Sequence, residues 1–100
     1  MNKVMVAAVA GVLMGLSSAV MAGDPAAGKA KAASCAGCHG PAGVSANPMW
    51  PNLAGQHAAY MVKQIKAFRD GTRNDPMMSP MAKPLSDQDI EDLAAYFGSL

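Results

Sequence analysis

Two cysteines, two histidines and five aromatic residues are all that this 100-residue chain has of those types, and each scarcity removes a class of protein. Two cysteines cannot build a disulfide framework, and a bridge between Cys35 and Cys38 would be strained and close almost no loop. Zinc would need Cys35, Cys38, His39 and the distant His57 together, because the usual second knuckle is missing. Val, Ile and Thr are too sparse for strands, which argues against a βαβ pattern and a thioredoxin-like dithiol. Internal repeats and blocks of like charge are also missing, and a formal net charge of +1 gives nucleic acid nothing to bind.

One apolar run stands out. Val4 to Leu16 carries no charge, follows the basic Lys3, and leads into Ser17, Ser18, Ala19, Val20, Met21 and Ala22. This is the layout of a secretory signal peptide over 1–22, with Val20 and Ala22 at the minus-three and minus-one positions of the cut. A membrane-spanning helix would need about twenty consecutive apolar residues. A lipoprotein site at Cys35 is ruled out by Asp24, Lys29 and Lys31, which interrupt the residues before it. The expectation is one exported domain over 23–100 with no membrane anchor after cleavage. Its seven acidic side chains balance the seven basic ones left once Lys3 is removed.

What the chain does have is Cys35-Ala36-Gly37-Cys38-His39. Thiols at i and i+3 followed by an imidazole at i+4 fall on one face of a helix, and this is the attachment pattern for c-type haem. Cys35 and Cys38 are the candidate thioether residues, and His39 is the candidate iron ligand. Ala36 and Gly37 are small enough to let a porphyrin edge approach. A domain this small buries little surface and usually needs a staple, a part that covalent haem can play beside Trp50, Tyr60, Phe68, Tyr96 and Phe97.

The rest reads as helices joined by Gly/Pro-rich loops. Asp24-Pro25 starts a helix that continues from Ala26 to Ala36 and stops at Gly37 to Gly40. Pro41 to Gly55, with three prolines, is a wrapping loop. Gln56 to Asp70 is helical, with Ala58, Met61, Ile65 and Phe68 on one stripe, and Gly71 stops it. Thr72 to Pro84 reads as a second loop, and Ser86 and Asp89 cap a last helix through Ile90, Leu93, Ala94 and Phe97.

The second loop holds Met77, Met78 and Met81 among Pro76, Pro80 and Pro84. A thioether opposite histidine raises the potential of a haem into the range of electron carriers. Methionine is also adaptable filler, and Met61, on an apolar stripe, reads as core. Met49, beside Trp50, could line the pocket.

Over residues 23–100 the chain resembles the class I c-type cytochromes, in particular a single domain of the bacterial periplasmic dihaem cytochromes c. The resemblance rests on Cys35 to Gly40, Trp50 to Gln56, Phe68-Arg69-Asp70-Gly71, Met78 with Leu85-Ser86-Asp87, and Ala94-Ala95-Tyr96-Phe97. It implies an all-α class I cytochrome c fold, three main helices with loops wrapped around one covalent haem c. The single attachment motif implies one such domain, not the two-domain form. The resemblance also implies that Met78, eight residues before Ser86, is the second axial ligand, with Met77 and Met81 as alternatives. Pro51 is implied to turn its carbonyl to the haem histidine, with Leu53 packing on that side. Gly28 and Ala32 are implied to face Leu93, Tyr96 and Phe97 where the terminal helices cross, and His57 reads as a surface residue.

The resulting expectation is a periplasmic electron carrier and no enzyme, a monomer or weak dimer serving redox-partner proteins. The alternatives are a cytochrome subunit of a dehydrogenase or oxidase, and a Met-rich copper-binding protein using Met77, Met78, Met81 and His57. Ala36, Gly37, Ala42, Gly43, Val44 and Met81 are the expected uncharged docking rim.

Overall fold

The computed structural model describes residues 23–100, so the signal-peptide expectation for 1–22 lies outside the described residues. Helix α1, Pro25–Lys31, is started by Asp24, whose carboxylate accepts the Ala26 amide at 3.0 Å, with Pro25 in the first turn where its missing N–H costs nothing. The single helix expected from Ala26 to Ala36 breaks into α1, a 3₁₀ turn at Ala32–Ser34, and the short helix α2, Ala36–His39. Ser34 explains the break. Its hydroxyl donates to the Lys31 carbonyl at 3.3 Å, and the Cys35 amide, the normal helical partner of that carbonyl, donates to Ala32 O at 2.9 Å.

Helix α3, Ala58–Asp70, buries Met61, Ile65 and Phe68 and ends at Gly71, which takes the left-handed conformation at φ 92°. Ala58, expected on that stripe, is exposed in the first turn, and Tyr60 lies off the stripe and is half exposed. The core aromatics are therefore Phe68, Tyr96 and Phe97, while Trp50 stays half-buried in its loop.

The expected loop from Thr72 to Pro84 contains a further short helix, α4, Met78–Ala82. Its start is held from outside by Asp75, whose carboxylate accepts the amides of Met77, the residue before the helix, and of Met78. Helix α5, Asp87–Gly98, carries the expected capping box, with Ser86 Oγ accepting the Asp89 amide and Asp89 accepting the Ser86 amide, both at 3.0 Å. It buries Ile90, Leu93, Ala94, Tyr96 and Phe97, and complete burial of Ile90 and of Leu93 contributes about 1.5–3 kcal/mol each. No strand occurs among the described residues.

α1 lies across α5 with almost no spacing. A β-carbon on Gly28 would overlap the carbonyl of Asp92, so only glycine lets the two backbones meet there. The Asp92 side chain is buried at the same crossing. It accepts from the Asp24 amide at 2.8 Å, the Lys31 ammonium at 2.6 Å and the Gln88 amide at 2.8 Å, and Lys31 also reaches Asp89 at 3.0 Å. Those donors, the Asp24 amide first, hold the Asp92 carboxyl down to about 2, and the two carboxylates raise the Lys31 pKa.

Candidate functional site

α2 puts the attachment residues together. The amides of Cys38 and His39 both turn back to the Cys35 carbonyl, at 3.3 and 3.0 Å, so the two thiols and the imidazole belong to one helical turn. Both cysteines are unbridged and half-buried, and Cys35 packs on the hydrophobic core. Burial pushes the Cys35 thiol up, opposite to the acidified thiolate of a dithiol redox centre.

His39 is buried at 7% exposure, and its Nδ1 lies 2.8 Å from the Pro51 carbonyl. A carbonyl only accepts, so Nδ1 carries the proton and the lone pair sits on Nε2, free for a metal. The bond also fixes the ring plane and makes Nε2 more basic. The loop between them is folded to deliver that carbonyl. Gly43 turns at φ 74°, its carbonyl accepts the amides of Leu53 and Ala54 at 2.8 and 3.0 Å, and Asn52 Oδ1 accepts the Ser45 amide at 2.7 Å. Gly43 is itself buried against Ala54, and this takes it out of the expected docking rim.

The methionines separate by burial. Met78 is half-buried and packs on the core, whereas Met77 and Met81 are 53% and 47% exposed. Met61 lies in the core, and Met49 is 81% exposed. Leu53, Cys35 and Met78, from three separate segments, all pack on the core cluster. Asp75 Oδ1 accepts the amides of Met77 and Met78, both at 2.8 Å, and these two amides, Met78 first, lower the Asp75 pKa. His57 is exposed ahead of α3 and its ring makes no capping bond.

The donor set fits a haem. It offers two thiols on one face, a buried imidazole with a free Nε2, and a half-buried soft thioether. Among the described residues no cluster of three His, Cys, Asp or Glu could hold a bare metal ion, so the zinc arrangement through His57 does not form.

The family model for cytochrome c matches residues 25–100. The chain belongs to the cytochrome c family. It is 48% identical over 100 residues to cytochrome c4 of Pseudomonas aeruginosa, an alignment covering 99% of this chain and 49% of that one. It is 52% identical over 81 residues to cytochrome c-554(548) of Halomonas halodenitrificans, covering 78% of this chain and 98% of that protein. Among solved structures, reduced recombinant cytochrome c4 from Pseudomonas stutzeri superposes with a TM-score of 0.74 at 45% identity, over 78% of this chain and 46% of the other. The chain thus spans about half the length of the cytochromes c4 that it matches. As a member of this family with the Cys35, Cys38 and His39 arrangement, it carries one covalently bound haem c.

Sequence reasoning missed two carboxylates. Asp75 sits among prolines and methionines that read as loop, and its bonds to the Met77 and Met78 amides have no signature in the sequence. Asp92 looks like one more polar position between apolar ones on α5, and nothing nearby in sequence shows that residues 24 and 31 will surround it.

Proposed function

We propose that this cytochrome c is a periplasmic electron carrier, made as a precursor with residues 1–22 removed, which holds its haem through Cys35 and Cys38 and ligates the iron with His39 and Met78. When bound, the haem supplies a one-electron centre that alternates between ferric and ferrous iron. The protein sets how that centre behaves. The Pro51 carbonyl holds the proton on Nδ1 of His39 and directs Nε2 to the metal. Met78 would supply a soft thioether, which favours ferrous iron, and with His39 would leave small molecules no open place on the metal. Leu53, which packs on the core cluster, would help to cover the haem. The observation that carries this reading is the 2.8 Å bond from His39 Nδ1 to Pro51 O, because it leaves the Nε2 lone pair of a buried imidazole beside the two thiols free for a metal.

No helix among the described residues is long and apolar enough to cross a membrane, consistent with release after cleavage. Redox-partner proteins approach through the uncharged residues around the attachment turn, Ala36, Gly37, Ala42 and Val44, together with Met81. The test is a pyridine haemochrome spectrum combined with the intact mass of the exported protein. The expected result is one haem c per chain on a polypeptide that begins at Gly23. Haem that acid and organic solvent extract, or no haem bands at all, overturns it.

A further inference from the structure

Three methionines lie within five residues of one another, and only Met78 is turned to the core. Side chains of neighbouring helical residues point about 100° apart and those three apart about 60°, so the rotational phase of this segment decides which of Met77, Met78 and Met81 faces the core. Something must set that phase, because a five-residue helix has too few internal bonds to set its own.

The chain ahead of α4 supplies it. Asp75 Oδ1 accepts the amides of both Met77 and Met78 at 2.8 Å. The Asp75 amide donates to Ser79 Oγ, and the Ser79 amide returns to the Asp75 carbonyl, each at 3.0 Å. Pro76 and Pro80 have no amide to satisfy, so every backbone donor from Asp75 to Pro80 is accounted for inside this ring. Ala82, one turn beyond Met78 on the same face, is 1% exposed and seats the other end. The stretch before the ring is tied back to α3, where the Arg73 guanidinium lies 4.4 Å from the centre of the Phe68 ring and donates to Gln64 Oε1 at 2.7 Å.

We propose that Asp75, closed into this ring by Ser79, is the positioning residue that selects Met78 over Met77 and Met81 and holds its thioether at the iron. The proposal rests on Met78 being the axial ligand. A methionine side chain has three rotatable bonds and reaches several places, so the strength of its hold on iron depends on how firmly its backbone is fixed. Replacing the carboxylate by a methyl group leaves two amides with no acceptor in the ring, and the helix start loosens beneath the ligand.

The experiment uses the haem-loaded protein and reads two signals, the sulfur-to-iron charge-transfer band of the ferric form and the affinity for added imidazole. Asp75→Ala is expected to weaken the band and tighten imidazole binding by about five-fold, the factor that the net loss of one hydrogen bond carries. Asp75→Asn keeps an oxygen facing both amides and is expected to restore both signals. Met78→Ala should abolish the band and bind imidazole tightly, and adding Asp75→Ala to it should change imidazole affinity no further, since the carboxylate then has no ligand to position. If Asp75→Ala keeps the native band and affinity while Met78→Ala loses them, the positioning role is overturned and the ligand stands. The role also falls if Asp75→Asn behaves like Asp75→Ala. If Met78→Ala itself keeps the band, the ligand assignment is the part that fails, and the proposal falls with it.

Discussion

The carbonyl of Asp92 occupies the space where a β-carbon of Gly28 would stand, so the first and last helices touch backbone to backbone. Gly28→Ala should force them apart and destabilise the haem-loaded protein by about 1–3 kcal/mol, the usual cost of overpacking. Guanidinium unfolding would measure it. An unchanged midpoint would mean that the helices can separate freely.

The side chain of the same aspartate gives the crossing a pH dependence. Its folded pKa, about 2, lies below the ordinary value of 3.8, so its stabilisation is complete above about pH 4 and is lost as pH falls through 2. Asp92→Asn should lower the melting temperature at neutral pH and flatten the fall in stability between pH 4 and pH 2. A mutant curve parallel to that of the native protein throughout that window would show that Asp92 is not the group titrating.

Changing both Cys35 and Cys38 to Ala should abolish covalent haem and leave the chain largely unfolded, because the haem fills a core with only three buried aromatic rings. Circular dichroism of the purified double variant decides the matter. A stable helical protein without haem would show that the polypeptide core suffices.

Exposure ranks the loop methionines. Met78→Ala should open one axial position, lower the reduction potential and let carbon monoxide bind the ferrous form. Met77→Ala and Met81→Ala, at half-exposed positions, should keep the low-spin spectrum. A five-coordinate spectrum from Met81→Ala alone would move the ligand to that residue.

The seven acidic and seven basic side chains of residues 23–100 balance, and two of the basic ones are held in ion pairs. Lys31 pairs with Asp89 and Asp92, and Arg69 with Asp70 and Asp87 at 2.8 Å each. Electron exchange with a partner should therefore depend weakly on salt, whose screening acts on long-range fields. Ala42→Glu, in the uncharged rim, should slow the exchange with little change of potential. A stopped-flow series from low to high salt would expose a hidden charged patch as a fall of several tens-fold.

What could be read in advance follows from how far each signal reaches along the chain. Cys35, Cys38 and His39 are one turn of helix, and Ser86 with Asp89 is a local cap, so both were legible from adjacent letters. The break after Lys31 was hidden because it turns on which donor the Lys31 carbonyl accepts, Ser34 Oγ or the Cys35 amide. Helix α4 was hidden by its prolines, which look like loop residues until Asp75 shows that Pro76 precedes a helix and Pro80 falls in its first turn. The burial of Asp92 depends on a donor 68 residues away, beyond any local pattern.

That separation also sets an order of events in time. A ribosome adds about 5–20 residues per second, so once Asp24 has been made, its carboxylate partner follows on the order of several seconds later. Until then α1 has nothing to lie across, and Cys35 and Cys38, just beyond it, belong to a chain whose core cannot yet close. Because the core also needs the haem to fill it, the closing of α5 over α1 waits on attachment at Cys35 and Cys38 as well as on the end of synthesis.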